Sequence, residues 1–302
     1  MTGIDVGRPI GVVVNPSSGK GKGRSVGAEV WTALAGQKAI DLSGGSYDEA
    51  LANARQAIAE GRISALMVVG GDGIVHLGVN ACANTDVPLA IVAAGTGNDS
   101  ATVLGLPTQS ASEAVRAALD FASNPRRIDL IHGKTESTEF YSLGTVSAGF
   151  DALVNARANE MKWPKGPSRY QVAMVLELVK FKGLSYRALL DGVPRKIEAM
   201  LCAVANSHAY GGGMLIAPHA KVDDGILDLF VVHRIPRRTL LKIFPKVYSG
   251  GHVTHPAVEF VPVKEATLDN GDRPVYSDGE YVGQSPVTVK IAAGALKVCA
   301  PQ

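Results

Sequence analysis

Three stretches of this chain carry residue types that bind anions: Asn15-Pro16-Ser17-Ser18-Gly19-Lys20-Gly21, Gly70-Gly71-Asp72-Gly73 and Gly95-Thr96-Gly97-Asn98-Asp99. Each follows an apolar run, Ile10 to Val14, Leu66 to Val69 and Pro88 to Ala93 respectively. A glycine turn between a strand and a helix leaves backbone N–H groups at the helix N-terminus, with no Cβ to hold a phosphate away. Such a turn can equally be a turn and nothing more, and the first stretch lacks the spacing and the Ser/Thr after lysine of a Walker motif. The recurrence of the pattern after three strands is what points to a ligand. Two later stretches concentrate carboxylates. Asp278-Gly279-Glu280 sets two of them on either side of a glycine; an Asp-Gly hairpin explains the first pair but not Glu280. Lys221-Val222-Asp223-Asp224-Gly225-Ile226 puts adjacent carboxylates in a tight turn where carbonyls also point inward, which suits a hard cation or a metal-free turn.

The elements that must position these residues follow from periodicity. Val26, Val30 and Leu34 share a helical face, and Ile40 to Leu42 reads as a short strand. Ser46 with Glu49, and Ser110 with Glu113, form capping-box patterns at the starts of two more helices. Near-unbroken apolar strands alternating with helices predict a mostly parallel sheet covered on both faces. Ligands of such sheets bind outside the carboxyl ends of the strands, so the loops at Asn15, Gly70 and Gly95 are expected to converge. From about Arg126 the pattern changes to short β-branched segments: 128–131, 140–146, 187–190, 197–205, 226–232, 257–263, 266–268 and 287–291. These predict a second, mainly antiparallel domain, interrupted by one helix over Tyr170 to Val179 with Val172, Val175, Leu176 and Val179 on one stripe. The expected division is a nucleotide-binding α/β domain over 1–131, completed by 288–302, and a β-rich substrate domain over 132–287.

Composition narrows the classes. The chain has 302 residues, 46% of them hydrophobic, enough for a large core. It lacks both a long apolar run and a secretory pattern at Met1 to Pro9, which predicts a cytoplasmic protein. Cys82, Cys202 and Cys299 have no paired spacing and are expected to be reduced and buried. His208, His219, His233, His252 and His255 have no metal-ligand spacing. A net charge of +2 argues against a nucleic-acid partner.

Taken in order, NPSSGKG (15–21), GGDG (70–73), GTGND (95–99), SAGFD (147–151), YGGGMLIAPHAKVDDGILDL (210–229) and SDGE (277–280) resemble the diacylglycerol kinase catalytic family, in its bacterial soluble lipid kinase branch. The motifs span nearly the whole chain. The resemblance implies a fold like that of NAD kinase and phosphofructokinase: an α/β N-terminal domain with a mostly parallel sheet, and a mainly antiparallel β C-terminal domain. It implies ATP and Mg²⁺ as cofactors and a lipid hydroxyl, most readily that of diacylglycerol, as acceptor. By resemblance Asn15, Ser43, the loop Gly70, Gly71, Asp72, Gly73, Ile74, Val75 and His76, and Thr96 form the ATP site. Ser43 stands where the family has threonine and keeps the hydroxyl. The neighbouring loop residues Pro16, Ser17, Ser18, Gly19, Lys20, Gly95, Gly97 and Asp99 are assigned to the same site; Lys20 can reach a phosphate or be merely solvated, and Asp99 can instead cap its helix. Asp72 would repel phosphate oxygens unless a cation lay between, which is a reason to expect Mg²⁺. A further Mg²⁺ is implied at Asp224 and the carbonyls of Lys221 and Ile226.

Phosphorylating an alcohol requires a group to accept its proton as the P–O bond forms. In the family this matches Glu280, with Asp278 assisting, while Asp72 is the rival, as in the related sphingosine kinases. The sequence also departs from the family: after GGDG it has Ile74 and His76-Leu77 where relatives have threonine and an Asn-Glu pair. NAD kinase shares GGDG, but the motifs of the second half fit lipid kinases better. A Rossmann dehydrogenase is disfavoured, since the first loop lacks GxGxxG and Asp41 lies within its strand. A non-catalytic nucleotide-binding regulator stays open. Residues 233–258 contain no acid, while Arg234, Arg237, Arg238, Lys242 and Lys246 interleave with Leu240, Leu241, Ile243, Phe244 and Val247. Such a segment suits an anionic membrane surface or a core-packed helix with a basic edge. A transient membrane association is therefore expected, with a lipid substrate at that surface and a homodimer as a further possibility.

Overall fold

The computed structural model describes residues 7–164, 169, 172–173, 176–177 and 183–302. The chain divides into two compact units, 1–130 with 293–302, and 131–292.

The first unit alternates β1 (Ile10–Val14), α1 (Lys22–Ala33), β2 (Ala39–Asp41), α2 (Tyr47–Ala59), β3 (Ala65–Gly70), α3 (Asp72–Cys82), β4 (Leu89–Ala93), α4 (Asp99–Val103) and α5 (Ala111–Ala122). The strands pair in parallel in the order β2-β1-β3-β4. Because β1 pairs with β2 on one side and β3 on the other, the strand order reverses at β1, the position beside which ligands of such sheets bind, between the loops that follow β1 and β3. Every residue of β3 is buried, as a strand covered on both faces requires. Met67 and Val69 pack in a cluster with Val30 and Leu34 from α1 and its end and with Ala114, Val115 and Ala118 of α5. Val68 faces the other way, toward Gly78 of α3, where an added Cβ would stand 3.0 Å from Val68 and 2.6 Å from Leu89. The capping residues act as expected: Ser46 accepts from Glu49 N–H at 3.2 Å and Ser110 from Glu113 N–H at 3.3 Å. The return half of the first box differs, since Glu49 accepts from the Gly45 N–H at 2.8 Å.

The second unit is antiparallel throughout its described strand pairs. After β5 (Arg126–Lys134), in which the chain passes from one unit to the other, come β6 (Glu139–Ser142), β7 (Thr145–Ser147), α6 (Phe150–Glu160), β8 (Leu184–Leu190), β9 (Val193–Ala205), β10 (Leu227–His233), α7 (Arg237–Ile243), β11 (Val258–Val263), β12 (Glu265–Asp269), β13 (Pro274–Ser277), β14 (Glu280–Gln284) and β15 (Val287–Val298). Strand β9 pairs with β7, β8 and β10, and β13 pairs with β7 and β14. The alternation of β8, with Tyr186, Ala188 and Leu190 buried, places one face on a core shared with Val204, Leu229 and Val289. Expected as one strand, 140–146 is two, broken by a turn at Leu143-Gly144. Within the expected helix 170–179 only Val172, Ala173, Leu176 and Glu177 are described, and they are helical; the rest of that stretch lies outside the described residues. The three cysteines are free and buried, as expected. Among the described residues no helix is long and apolar enough to cross a membrane.

Candidate active site

The three glycine loops of the first unit meet. Gly71 and Gly95 approach backbone to backbone, so a Cβ on Gly95 would collide with the Cα of Gly71, and one on Gly71 would stand 3.1 Å from the Cα of Gly95. A side chain at Gly95 would force the loops after β3 and β4 apart, and one at Gly71 would crowd them. The loop after β1 joins them, with Ser18 Oγ 2.9 Å from where a Cβ on Gly70 would lie. Asn15 shapes that loop: its Oδ1 accepts from the Ser17 N–H at 3.1 Å and from the Ser17 hydroxyl at 2.7 Å. Gly19 and Lys20 then adopt left-handed conformations, φ 57 and 62, and turn the chain back into α1. Pro16, Ser17 and Lys20 are exposed on it.

Helix α3 starts at Asp72 with no side chain capping it, which leaves first-turn N–H groups beside the turn. Asp72 instead reaches across: its Oδ1 accepts from the Ser100 N–H at 3.0 Å, at the start of α4. The first turn of α4 is thus bonded by a carboxylate 28 residues earlier. Asn98, which sequence reasoning left unassigned within GTGND, holds the Gly95 turn by accepting the Gly95 N–H at 2.8 Å and donating to its carbonyl at 3.3 Å. Its φ of 56 is a signal that asparagine tolerates better than most side chains. Thr96 and Gly97 lie exposed at the tip of this turn.

Ser43 sits beside the end of β1, its hydroxyl accepting from the Val14 N–H at 2.9 Å while its own O–H hydrogen is left to donate. Ile74, Val75 and His76 are buried, and the Ile74 side chain packs against Gly70, where its Cγ2 would stand 2.5 Å from an added Cβ. The His76 ring lies between Tyr47 Oη at 2.9 Å and Asn80 Nδ2 at 3.3 Å and ties the start of α2 to α3. Tyr47 went unnoticed in the sequence because no local pattern links residues that far apart.

In the second unit, Asp278 and Gly279 are the two central residues of the β13–β14 hairpin, both with positive φ, 49 and 89, as an Asp-Gly turn of the primed type demands. The Asp278 carboxylate accepts three backbone N–H groups: Leu143 at 2.8 Å, Gly144 at 3.0 Å and Thr145 at 2.8 Å. It thereby clamps the turn between β6 and β7, which Asn206 holds from the other side by donating to the Leu143 carbonyl at 2.8 Å. Glu280 follows directly, exposed, opposite Ser277 in the ladder. Asp278 is thus arranged as a positioning group and Glu280 as the accessible carboxylate.

The turn over Lys221–Ile226 is elsewhere in this unit. Asp224 Oδ1 accepts from the Ile226 N–H at 3.1 Å, Gly225 has φ 74, and Asp223, Asp224 and Ile226 are exposed. One carboxylate and two main-chain carbonyls are a donor set that would leave a Mg²⁺ with several waters, rather than enclose it in a protein cage. Among the described residues, no cluster of three or more His, Cys, Asp or Glu side chains offers a metal site.

Two family models match in succession: one described as the diacylglycerol kinase catalytic domain over residues 9–132, and one described as the YegS C-terminal NAD kinase beta sandwich-like domain over 144–300. A diacylglycerol kinase of Mycobacterium tuberculosis (strain ATCC 25618 / H37Rv) is 35% identical over 294 residues, covering 96% of this chain and 94% of the relative. The chain belongs to the diacylglycerol kinase family. Another diacylglycerol kinase, from Staphylococcus carnosus (strain TM300), is 24% identical over 296 residues, 96% of this chain and 94% of that one. A crystal structure of a diacylglycerol kinase from Bacillus anthracis str. Sterne superposes with a TM-score of 0.73 at 19% identity, covering 97% of both chains. At that identity the likeness speaks for the fold, and it agrees with the fold class expected for the diacylglycerol kinase family: an α/β unit with parallel strands followed by a β-sandwich-like one.

Proposed function

We propose that this protein is an ATP- and Mg²⁺-dependent lipid kinase that transfers the γ-phosphate to the hydroxyl of diacylglycerol, giving phosphatidic acid. The observation that carries the nucleotide half of this reading is the backbone contact of Gly71 with Gly95, which clears side chains from the loops after β3 and β4. Phosphate oxygens would take the uncapped N–H groups at the start of α3, where the helix dipole also favours negative charge. The Nδ2 donors of Asn15, the hydroxyls of Ser43 and Thr96 and the ammonium of Lys20 would supply further contacts. Mg²⁺, when bound, would shield the phosphates from Asp72 and neutralise charge on the transferring group.

The acceptor half rests on family membership and on Glu280. Glu280 takes the proton of the lipid hydroxyl as that oxygen bonds to the γ-phosphorus and the bond to the ADP oxygen breaks. Asp278 keeps Glu280 in place by fixing the turn on which it stands. The Mg²⁺ at Asp224 would be structural, tying the chain as it enters β10.

The test is incubation with labelled ATP, Mg²⁺, NAD and a mixed lipid extract, followed by identification of the molecule that acquires phosphate; phosphate appearing on NAD and on no lipid would sink the reading. Glu280→Gln is expected to lower turnover by about 10²–10⁴-fold, the usual worth of a general base, with ATP binding retained. Near-normal turnover in that variant would move the base to Asp72.

A further inference from the structure

Residues 233–258 contain five arginines and lysines and no aspartate or glutamate. In α7 and the 3-10 turn that continues it, Phe244–Ser249, the buried residues are Leu240, Ile243 and Val247, three and four apart. Leu240 and Val247 join the core cluster of Phe230 and Val232. This spacing determines what the opposite face displays. Arg238, Lys242 and Lys246 follow one another there at intervals of four, with Leu241 beside them, and all four are exposed. Leu241 is 53% exposed and Tyr248 49% exposed. Nearby Arg234 lies 3.6 Å from Glu198, but Arg238, Lys242 and Lys246 have no ion-pair partner among the described residues.

Three uncompensated cations one helical turn apart repel one another, and a surface of negative charge relieves that repulsion. Duplex nucleic acid would meet the charges but gives Leu241 and Tyr248 nothing to bury against. A bilayer meets both needs: headgroup phosphates for the cations, and the acyl boundary for a leucine and an amphipathic tyrosine. We propose that the exposed face of α7 and its 3-10 continuation is the surface by which this protein docks on anionic lipid bilayers. The inference rests on the lipid kinase reading for its purpose, but binding is measured without catalysis.

The experiment is co-sedimentation of the full chain, without ATP, with vesicles of phosphatidylcholine alone and of phosphatidylcholine mixed with phosphatidylglycerol. Binding is expected on the mixed vesicles only, and raised salt should release it. The triple variant Arg238→Gln, Lys242→Gln, Lys246→Gln should partition about 100-fold less, from about fivefold per cation near a charged surface. Leu241→Ala should cost roughly tenfold, as the loss of a buried apolar side chain does. Equal binding to neutral vesicles, unchanged partition of the triple variant, or preferential binding to a duplex oligonucleotide would overturn the proposal. So would a dimer that Leu241→Ala dissociates, since the face would then be an interface between copies. Salt release is read on the unaltered protein and so does not depend on a variant folding. Phosphorylation of a short-chain, detergent-dispersed diacylglycerol should be unchanged in the triple variant. Absence of that activity in the unaltered protein, with vesicle binding as expected, would remove the kinase reading and leave the docking surface standing.

Discussion

Single residues decide whether the glycine loops of the first unit can meet at all. Gly95→Ala would drive a methyl group into the backbone of Gly71, and backbone cannot swing aside as a side chain can. The expected cost is about 1–3 kcal/mol of stability, as for overpacking elsewhere, with at least about a tenfold loss of ATP affinity. Thermal melting and titration calorimetry check the two parts separately. A second residue, His252, is completely buried, and its Nε2 lies 3.1 Å from the Ile216 carbonyl. That bond makes Nε2–H the donor, so the remaining ring nitrogen, Nδ1, has no hydrogen-bond partner among the described residues. Burial lowers its pKa despite the Ile216 contact, because a charged ring would be poorly solvated there. With the folded value depressed, the unfolded chain takes up a proton first as pH falls. Stability is therefore full above the ordinary histidine range and declines below about pH 6.5. Melting temperature against pH should show that decline, and His252→Asn should flatten it. Nothing in the local sequence marks His252 as buried; two of its partners, the Ile216 carbonyl and the edge-on ring of Phe230, come from distant segments.

At the scale of elements, what could be read in advance was what repeats locally. The strands before Asn15, Gly70 and Gly95 are legible because a strand covered on both faces must be apolar throughout, and the capping serines because their partner lies three residues on. The functional details that escaped are held by long-range bonds: Asp72 capping α4, Tyr47 on His76, and Asp278 across to 143–145. A carboxylate in a glycine turn looks the same in sequence whether it faces phosphate or a neighbouring helix. The two faces of α7 make the same point with opposite outcomes. Leu240→Ala removes a buried side chain and should cost about 2–5 kcal/mol, whereas Leu241→Ala, one residue on and exposed, should stay within about 0.5 kcal/mol. Denaturant unfolding of the two variants measures the difference directly.

On the scale of the molecule, the first unit is not continuous in sequence. Residues 293–302 belong to it, with Val298 paired in parallel to Leu89 and the Cys299 N–H donating to the Leu89 carbonyl at 2.8 Å. Leu296, Val298, Cys299 and Ala300 are all buried. Burial in that apolar surrounding pushes the Cys299 thiol up to about 12 and the Cys82 thiol higher still, the latter helped by Cys299 itself, so both remain protonated thiols at neutral pH. Removing 293–302 should therefore strip hydrogen-exchange protection from β4 and abolish ATP binding, even though every loop assigned to the nucleotide is intact. Measured protection at Leu89 to Ala93 equal to that of the full chain would contradict this.

The same detour through the second unit has a consequence for biosynthesis. A nascent chain emerging from the ribosome exposes the apolar edge of β4 long before the segment that covers it has been translated. The α/β half must then wait, incomplete and prone to aggregate, while all of 131–292 is made. A chaperone that holds such intermediates should therefore be retained on ribosome-bound chains stalled before residue 293, and leave once residues 293–302 have cleared the exit tunnel.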